Sequence, residues 1–134
     1  MLALASLIAS GVFSLLLVLS RAPYVKDAFP LVDFFHIALV VHVDLSVLVW
    51  FLAFAGVLWS INSTPRAISL GWFALWLGAF GTAIMCAAPF IGNGKPIMAN
   101  YIPVLNDPVF LSGLCVFAAS FVVLVLRSMI AVPQ

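Results

Sequence analysis

Two ionisable residues, His42 and Asp44, stand two positions apart inside the apolar stretch VVHVDLSVLVWFLAFAG, Val40 to Gly56. An ionisable group costs free energy in hydrocarbon, so such a residue in a membrane-spanning segment is a candidate for function. On an α-helix, two positions correspond to about 200° of rotation, which directs the two side chains to opposite faces. The two residues are therefore predicted not to pair, and each needs a partner of its own.

The position of His42 allows two interpretations. A helix that begins at Asp33 places His42 about 13 Å along the axis, just inside one interface. There the imidazole is either satisfied by a neighbouring helix or by interfacial water, or it supplies one axial bond to a haem iron. His36 lies about 120° away around the same helix and cannot share that iron, so we expect it at the interface. No residue stands out as the partner of Asp44.

Two other side chains could support a cofactor at His42. Ser46 lies one turn beyond the histidine on nearly the same face, where its hydroxyl could orient the ring or fill a helix contact. Arg21 ends the first apolar stretch, on the membrane side where the second begins. Its guanidinium could bind a haem propionate through paired hydrogen bonds, or extend to the interface. The candidate cofactor-binding residues are His42, Arg21 and Ser46, and the candidate metal ligand is His42.

The composition indicates a membrane protein. Of the 134 residues, 66% are hydrophobic and 7% are charged, whereas soluble domains have about 25% charged residues. A soluble chain this apolar would expose large apolar patches, so we expect the lipid bilayer to be its main partner. The formal net charge of +1 provides no basic footprint for nucleic acid. Cys86 and Cys115 are interpreted as small hydrophobic residues that face neighbouring helices.

Four apolar stretches can form transmembrane helices, since a bilayer crossing takes roughly 20 apolar residues. The predicted ranges are about 2–20, 33–60, 67–90 and 108–129. They predict an all-α fold, a polytopic bundle of four transmembrane helices in a single membrane domain, residues 1–134. The first stretch lacks the basic start of a cleaved signal peptide, so we expect it to be retained. Four crossings put both termini on the same side.

Small residues recur every four positions on two of these helices, which favours close packing. The stripes are Ala74, Gly78, Thr82 and Cys86 on the third helix and Ser6, Ser10 and Ser14 on the first. The charged segment RAPYVKDAFPLVD, 21–33, should lie outside the hydrocarbon. The Gly-, Asn- and Pro-rich segment GNGKPIMANYIPVLNDP, 92–108, is too irregular to face lipid and should fold over one membrane face.

The stretch HVDLSVLVWFLAFAG resembles the second transmembrane helix of the catalytic subunit I of haem-copper oxidases and their nitric oxide reductase relatives. That helix carries a histidine, commonly a polar residue two positions later, and then an apolar run. Here the pattern reads His42, Asp44, Leu45, Val49, Trp50 and Phe51. The outer loop with Arg21 and Pro23 fits the same order. The segment NYIPVLNDPVF, 100–110, is similar to the outer loop that leads into the fourth helix of such subunits.

The resemblance implies that His42 is one of two axial ligands of a low-spin haem on the outer side of the bundle, with both termini in the cytoplasm. The count of Lys and Arg alone slightly favours the opposite orientation. In the family, the second low-spin ligand, the high-spin haem ligand and the copper-binding histidines lie on later helices. This chain has only His36 and His42. The second axial ligand is therefore expected from outside the chain, and no copper site is expected within it.

Three functions are compatible with these observations. In the first, the chain is the N-terminal part or a split piece of an oxidase-like subunit I. It would lie in a bacterial inner membrane, pack against the remaining helices or a partner subunit, and serve respiratory electron transfer without being catalytic alone. The second is a small four-helix cytochrome b-like protein in which a dimer shares haem between two copies of His42. The third is a cofactor-free structural or assembly subunit, in which His42 and Asp44 are polar contacts between helices worth about 0.6 to 2 kcal/mol each.

Overall fold

The computed structural model describes residues 1–25, 33–99 and 101–132. The elements in chain order are α1 (Leu2–Arg21), α2 (Phe34–Val43), a π-helical segment (Asp44–Val49), α3 (Trp50–Ile61), α4 (Ile68–Ile91), β1 (Lys95–Ile97), β2 (Val104–Asn106) and α5 (Pro108–Ile130). Because α2, the π-helical segment and α3 run on as one helix, the described residues contain four helices long and apolar enough to cross a membrane. Their bounds lie close to the predicted ranges. Most of the connection 21–33 lies outside the described residues.

Local sequence explains where α5 begins. Pro108 occupies its first position, where a missing N–H removes no helical hydrogen bond. Asp107 caps the helix by accepting from the backbone N–H groups of Val109 and Phe110, at 2.8 and 3.1 Å. The backbone N–H of Asn93 donates to the same carboxylate at 3.2 Å. One buried side chain thus starts α5 and ties the end of α4 to it.

The segment 92–108 is more regular than the sequence predicts. It contains a short antiparallel hairpin in which Lys95 is opposite Asn106 and Ile97 is opposite Val104. Leu105 of β2 is 1% exposed and belongs to the core, and both strands contact α2. The hairpin therefore covers one end of the bundle, and it departs from the all-α expectation by two strands of three residues each.

The small residues of α4 lie where α4 meets α5. A Cβ added to Gly81 would be 2.6 Å from the backbone N of Phe117, and one added to Gly113 would be 2.9 Å from the carbonyl O of Gly81. Only glycine permits backbones to approach this closely. Ala74, Gly78 and Thr82 of the predicted stripe are buried, and Cys86 is half-buried. The pair α4 and α5 accordingly makes the most extensive helix contact in the described chain.

Two packing predictions are wrong. On α1, Ser6 and Ser10 are buried but Ser14 is exposed, because the buried face continues through Phe13 and Leu17. Because a turn has 3.6 residues, a row of residues taken strictly four apart rotates around the helix and leaves the buried face. Cys115 is exposed instead of facing a neighbouring helix.

The buried apolar side chains gather at the end of the bundle that carries the hairpin. They come from the second halves of α1 and α4, from α2 and the π-helical segment, from the first half of α5 and from β2. The rings of Phe13 and Phe34 both contact the ring of Phe90, at centroid distances of 6.2 and 5.7 Å. Outward-facing side chains such as Trp76 and Phe80 remain more than 60% exposed, which is consistent with helices long and apolar enough to cross a membrane.

Candidate functional site

His42 is half-buried at the end of α2, and α1 holds its ring in place. Its Nδ1 atom lies 2.9 Å from the carbonyl O of Ser10 and 2.9 Å from the hydroxyl O of the same serine. The Ser10 hydroxyl is also 3.1 Å from the carbonyl O of His42, to which it donates. A carbonyl can only accept, so the contact with the Ser10 carbonyl requires the proton on Nδ1. Nε2 then keeps its lone pair.

This arrangement is the one that metal-ligating histidines use. A histidine that binds a metal commonly donates its other ring N–H to a backbone carbonyl or a carboxylate, which fixes both the tautomer and the ring orientation. Within the described residues, Nε2 of His42 has no hydrogen-bond partner. The chain therefore presents one oriented imidazole nitrogen that is free to coordinate a metal.

The helix changes its winding immediately after His42. The backbone N–H of Asp44 is shared between the carbonyls of Val40 and Val41, and the π-helical segment follows as far as Val49. A π-helix bonds each N–H five residues back and so contains more residues per turn, which rotates every later side chain relative to an α-helix. Such segments occur frequently at functional sites. Angles deduced from 3.6 residues per turn hold only for the residues before this segment.

Ser46 lies within the π-helical segment. Its hydroxyl donates to the carbonyl O of His42 at 2.9 Å and approaches the carbonyl O of Val43 at 3.2 Å. The serine thus contacts the backbone of His42, while the imidazole itself is held by Ser10. Its predicted role beside a cofactor stays a prediction.

Arg21 ends α1 next to the start of α2. Its guanidinium carbon lies 3.7 Å from the centroid of the Phe35 ring, a cation–π contact that fixes where the side chain lies. The arginine is exposed and lies eleven residues, about 16 Å along α1, from Ser10, which holds His42. No ion pair of Arg21 occurs in the described part of the chain. Its N–H groups remain available to an anion, and its assignment to a propionate stays a prediction.

His36 is separate from this site. Its side chain is 46% exposed, and its Nδ1 lies 2.5 Å from Oδ1 of Asp33. The pair lies at the exposed start of α2, which is consistent with the interfacial role expected from the sequence. His36 is therefore a suitable matched control for His42, because it is the same residue type on the same helix without the carbonyl contact.

Asp44 is the unexplained ionisable group. It is 1% exposed, and neither carboxylate oxygen has a hydrogen-bond partner among residues 1–25, 33–99 and 101–132. The sequence predicts that it points away from His42 and provides no partner, and the described chain provides none either. A buried carboxyl in this position is stable only in its neutral form or against a polar group from elsewhere.

The described chain does not form a complete metal centre. No group of three or more His, Cys, Asp or Glu side chains in its described residues could hold a metal ion. The sequence predicts His42 as a candidate metal ligand, but it does not predict Ser10 as the residue that orients its ring. Ser10 appeared only as a member of a stripe of small residues, and no local signal joins two residues that are 32 positions apart.

The chain is similar to two proteins of greater length. Over 129 residues it is 32% identical to an "Uncharacterized protein" of Aquifex aeolicus (strain VF5), covering 96% of this chain and 32% of that protein. Over 134 residues it is 25% identical to an uncharacterized protein of Rickettsia prowazekii (strain Madrid E), covering 82% of this chain and 26% of that protein. The chain thus spans a third or less of these curated relatives. No family model matches it, and no solved structure matches it.

Proposed function

We propose that this chain forms one wall of a low-spin haem site in a membrane oxidoreductase that resembles subunit I of haem-copper oxidases, with His42 as one axial ligand. The observation that carries the proposal is the 2.9 Å contact between Nδ1 of His42 and the Ser10 carbonyl. It orients the ring and directs the metal-binding capacity to Nε2. The segment from His42 to Phe51 resembles the second helix of that family, and this resemblance is the reason for proposing haem as the cofactor.

The surroundings of His42 fit one side of a haem pocket. In the turns after the histidine, Leu45 and Val49 are fully buried in the core and cannot contact a haem. Val47 is 50% exposed and Phe51 is 62% exposed, so these two residues offer apolar surface that the other described residues leave uncovered. Apolar surface around a redox centre excludes water and adjusts its potential. When bound, a haem would supply one-electron transfer. The residues of this chain would orient the ligand, through Ser10, and shield it.

The second axial ligand is proposed to come from outside this chain. The aligned region is 32% and 26% of the two relatives, so these proteins contain further sequence that could provide it. On this proposal the chain acts with the remaining helices of a subunit I or with a partner subunit, in a bacterial inner membrane with its termini in the cytoplasm. Arg21, exposed at the last position of α1, is the proposed partner of a haem propionate. Ser46 contacts the backbone of the proposed ligand.

A cofactor-free role has one observation in its favour. The contacts of His42 with Ser10 already satisfy one ring nitrogen and join α1 to α2, as a purely structural polar contact between helices would. The two functions differ at Nε2 of His42, which binds the iron in the haem protein and binds no metal in the cofactor-free subunit. The test must therefore report on the iron and not on helix packing.

The test is a reduced-minus-oxidised optical spectrum of the assembled full-length complex, compared for the native protein, His42→Ala and His36→Ala. His42→Ala is expected to lose the low-spin haem band, because the iron loses an axial nitrogen, whereas His36→Ala is expected to keep it. Adding imidazole to His42→Gly is expected to restore part of the band, which a packing defect would not allow.

Each alternative has its own signature in the same experiment. Unchanged haem content in His42→Ala, with helical content intact by circular dichroism, would contradict the proposal and favour the cofactor-free subunit. A bis-histidine spectrum from this chain purified alone would instead support the dimeric cytochrome b-like protein.

A further inference from the structure

A cavity of about 510 Å³ lies at the end of the bundle opposite the hairpin. Its walls are the first residues of α1, the length of α3, the first half of α4 and the second half of α5. Ligand pockets in proteins enclose about 300 to 1,000 Å³, so this cavity is large enough to hold a ligand. Phe117 of the apolar core also lines this cavity, whereas neither His42 nor Ser10 does.

Arg127 supplies the charge of this cavity. It is 6% exposed, and its Nε has no hydrogen-bond partner among the described residues. One of its Nη atoms makes a long contact of 3.5 Å with the carbonyl O of Thr64. No lining residue is acidic. A buried cation is stable only when an anion or several acceptors compensate it, and Arg127 has neither in the described chain.

The position of Arg127 on α5 explains part of its stability but leaves its Nε unpaired. The last turn of a helix favours a cation because the carbonyl groups there carry a partial negative charge, and Arg127 is the basic residue of the last turn of α5. A Cβ on Gly71 would lie 3.3 Å from Nε. The absence of a side chain at Gly71 therefore keeps space beside the guanidinium, on the wall of the cavity.

The rest of the cavity is apolar and opens outward. Leu52, Leu75 and Leu124 line it, together with aromatic rings. At its rim, Ile61, Ile68 and Trp72 are 73%, 58% and 57% exposed. These three residues lie at the end of α3 and the beginning of α4, so the opening lies between those helices. If the helices cross a bilayer, this opening faces acyl chains, and Trp72 lies near the interface where tryptophan is favoured.

We propose that this cavity binds an anionic amphiphile of the bilayer, with its acyl chain between α3, α4 and α5 and its oxyanion head against Arg127. A guanidinium donates a planar pair of hydrogen bonds to a carboxylate or a phosphate, which matches either kind of lipid head. Arg127 lies three residues before the end of α5, about 5 Å along the axis. The charge is thus near head-group depth while the cavity extends towards the hydrocarbon. The proposal does not depend on haem binding at His42.

The experiment uses the full-length protein reconstituted in vesicles with a small fraction of photoactivatable lipid that carries a diazirine in its acyl chain. Three probes are compared: phosphatidylglycerol, phosphatidylcholine and a free fatty acid. Crosslinked peptides are identified by mass spectrometry. The anionic probes are expected to label α3 and the first half of α4 at least several-fold more than phosphatidylcholine does. The ratio of the phosphatidylglycerol and fatty-acid signals identifies a phosphate or a carboxylate head.

Arg127→Gln tests the head-group contact. We expect its preference for anionic probes over phosphatidylcholine at the cavity to fall about tenfold, as the loss of a charge-assisted hydrogen bond predicts. Arg127→Lys should keep part of the preference, because it keeps the charge and loses the planar fork. The matched control is Arg66→Gln, since Arg66 is exposed in the loop at the same end of the bundle and should leave the labelling unchanged.

A second variant tests the cavity itself. Ala53→Phe narrows the cavity from its wall while leaving Arg127 in place, and it should reduce labelling of the cavity by all three probes. Equal labelling by anionic and zwitterionic probes in the native protein would overturn the proposal. So would a preference for anionic probes that survives in Arg127→Gln with unchanged helical content, because the anion would then be bound elsewhere.

Discussion

Asp44 and Asp107 are both buried aspartates, 1% and 4% exposed, yet their surroundings are opposite. Asp107 precedes α5, where the first backbone N–H groups have no partner within the helix. It accepts from two of these groups, those of Val109 and Phe110, and from the backbone N–H of Asn93 after α4. Asp44 lies inside the continuous helix Phe34–Ile61, and its two oxygens have no partner in the described chain. An aspartate at the start of a helix can accept from the unpaired N–H groups there, whereas an aspartate inside a helix meets no free backbone donor.

Asp107→Ala should produce the largest change in stability. It leaves three backbone N–H groups without their acceptor, and we expect the free energy of unfolding to fall by about 2 to 3 kcal/mol. Asp107→Asn should lose less, because its amide oxygen still accepts. Denaturant unfolding followed by circular dichroism measures the loss, and hydrogen exchange at Asn93 reports whether the junction between α4 and α5 opens. A stability equal to that of the native protein would contradict the capping role.

Asp44→Leu should change stability in the opposite direction. Replacing an unpaired buried carboxyl by an apolar side chain of similar size removes a desolvation cost, and we expect a gain of about 1 to 2 kcal/mol. The same unfolding measurement applies, on the assembled full-length protein. A loss of unfolding free energy comparable with that of Asp107→Ala would contradict this prediction, since it would show that Asp44 has a partner beyond the described residues.

Ser10→Ala extends the comparison to the other ionisable residue of the same segment. It removes the hydroxyl that donates to the carbonyl O of His42 but keeps the backbone carbonyl that contacts Nδ1. We therefore expect a loss of about 1 kcal/mol in the free energy of unfolding, with the ring still oriented and any haem bound at the proposed site retained. Ser14→Ala is the control, because Ser14 is exposed on the same helix. Loss of haem in Ser10→Ala would show that the hydroxyl, and not the carbonyl, orients the imidazole.

Asp33→Asn should have the smallest effect. Its carboxylate pairs with His36 at the exposed start of α2, and exposed pairs contribute about 0 to 1 kcal/mol. We expect a change of unfolding free energy near the lower end of that range, and a smaller one still in high salt. A larger effect than that of Ser10→Ala would mean that the pair is shielded from water in the membrane-bound protein.

The two histidines show a similar division between what could and could not be predicted. Helix periodicity separates His36 from His42 around the axis, and the structure places one in an exposed pair and the other against α1. The contact with Ser10 could not be predicted, because it depends on how far α1 and α2 approach and in which register. The π-helical segment that begins at Asp44 could not be predicted either, since no residue type within it requires that winding.

The amino-acid sequence by itself determined the four apolar helices and their approximate bounds, because the length of an apolar run and the period of a helix are local properties. It also determined that His42 and Asp44 cannot pair, because residues two positions apart on a helix point to opposite faces. Only the tertiary structure decided that Ser10 orients His42, that Asp44 is unpaired and that Arg127 is buried beside a cavity. These outcomes depend on how the helices pack against one another, and residues far apart in the chain meet only when that packing is complete.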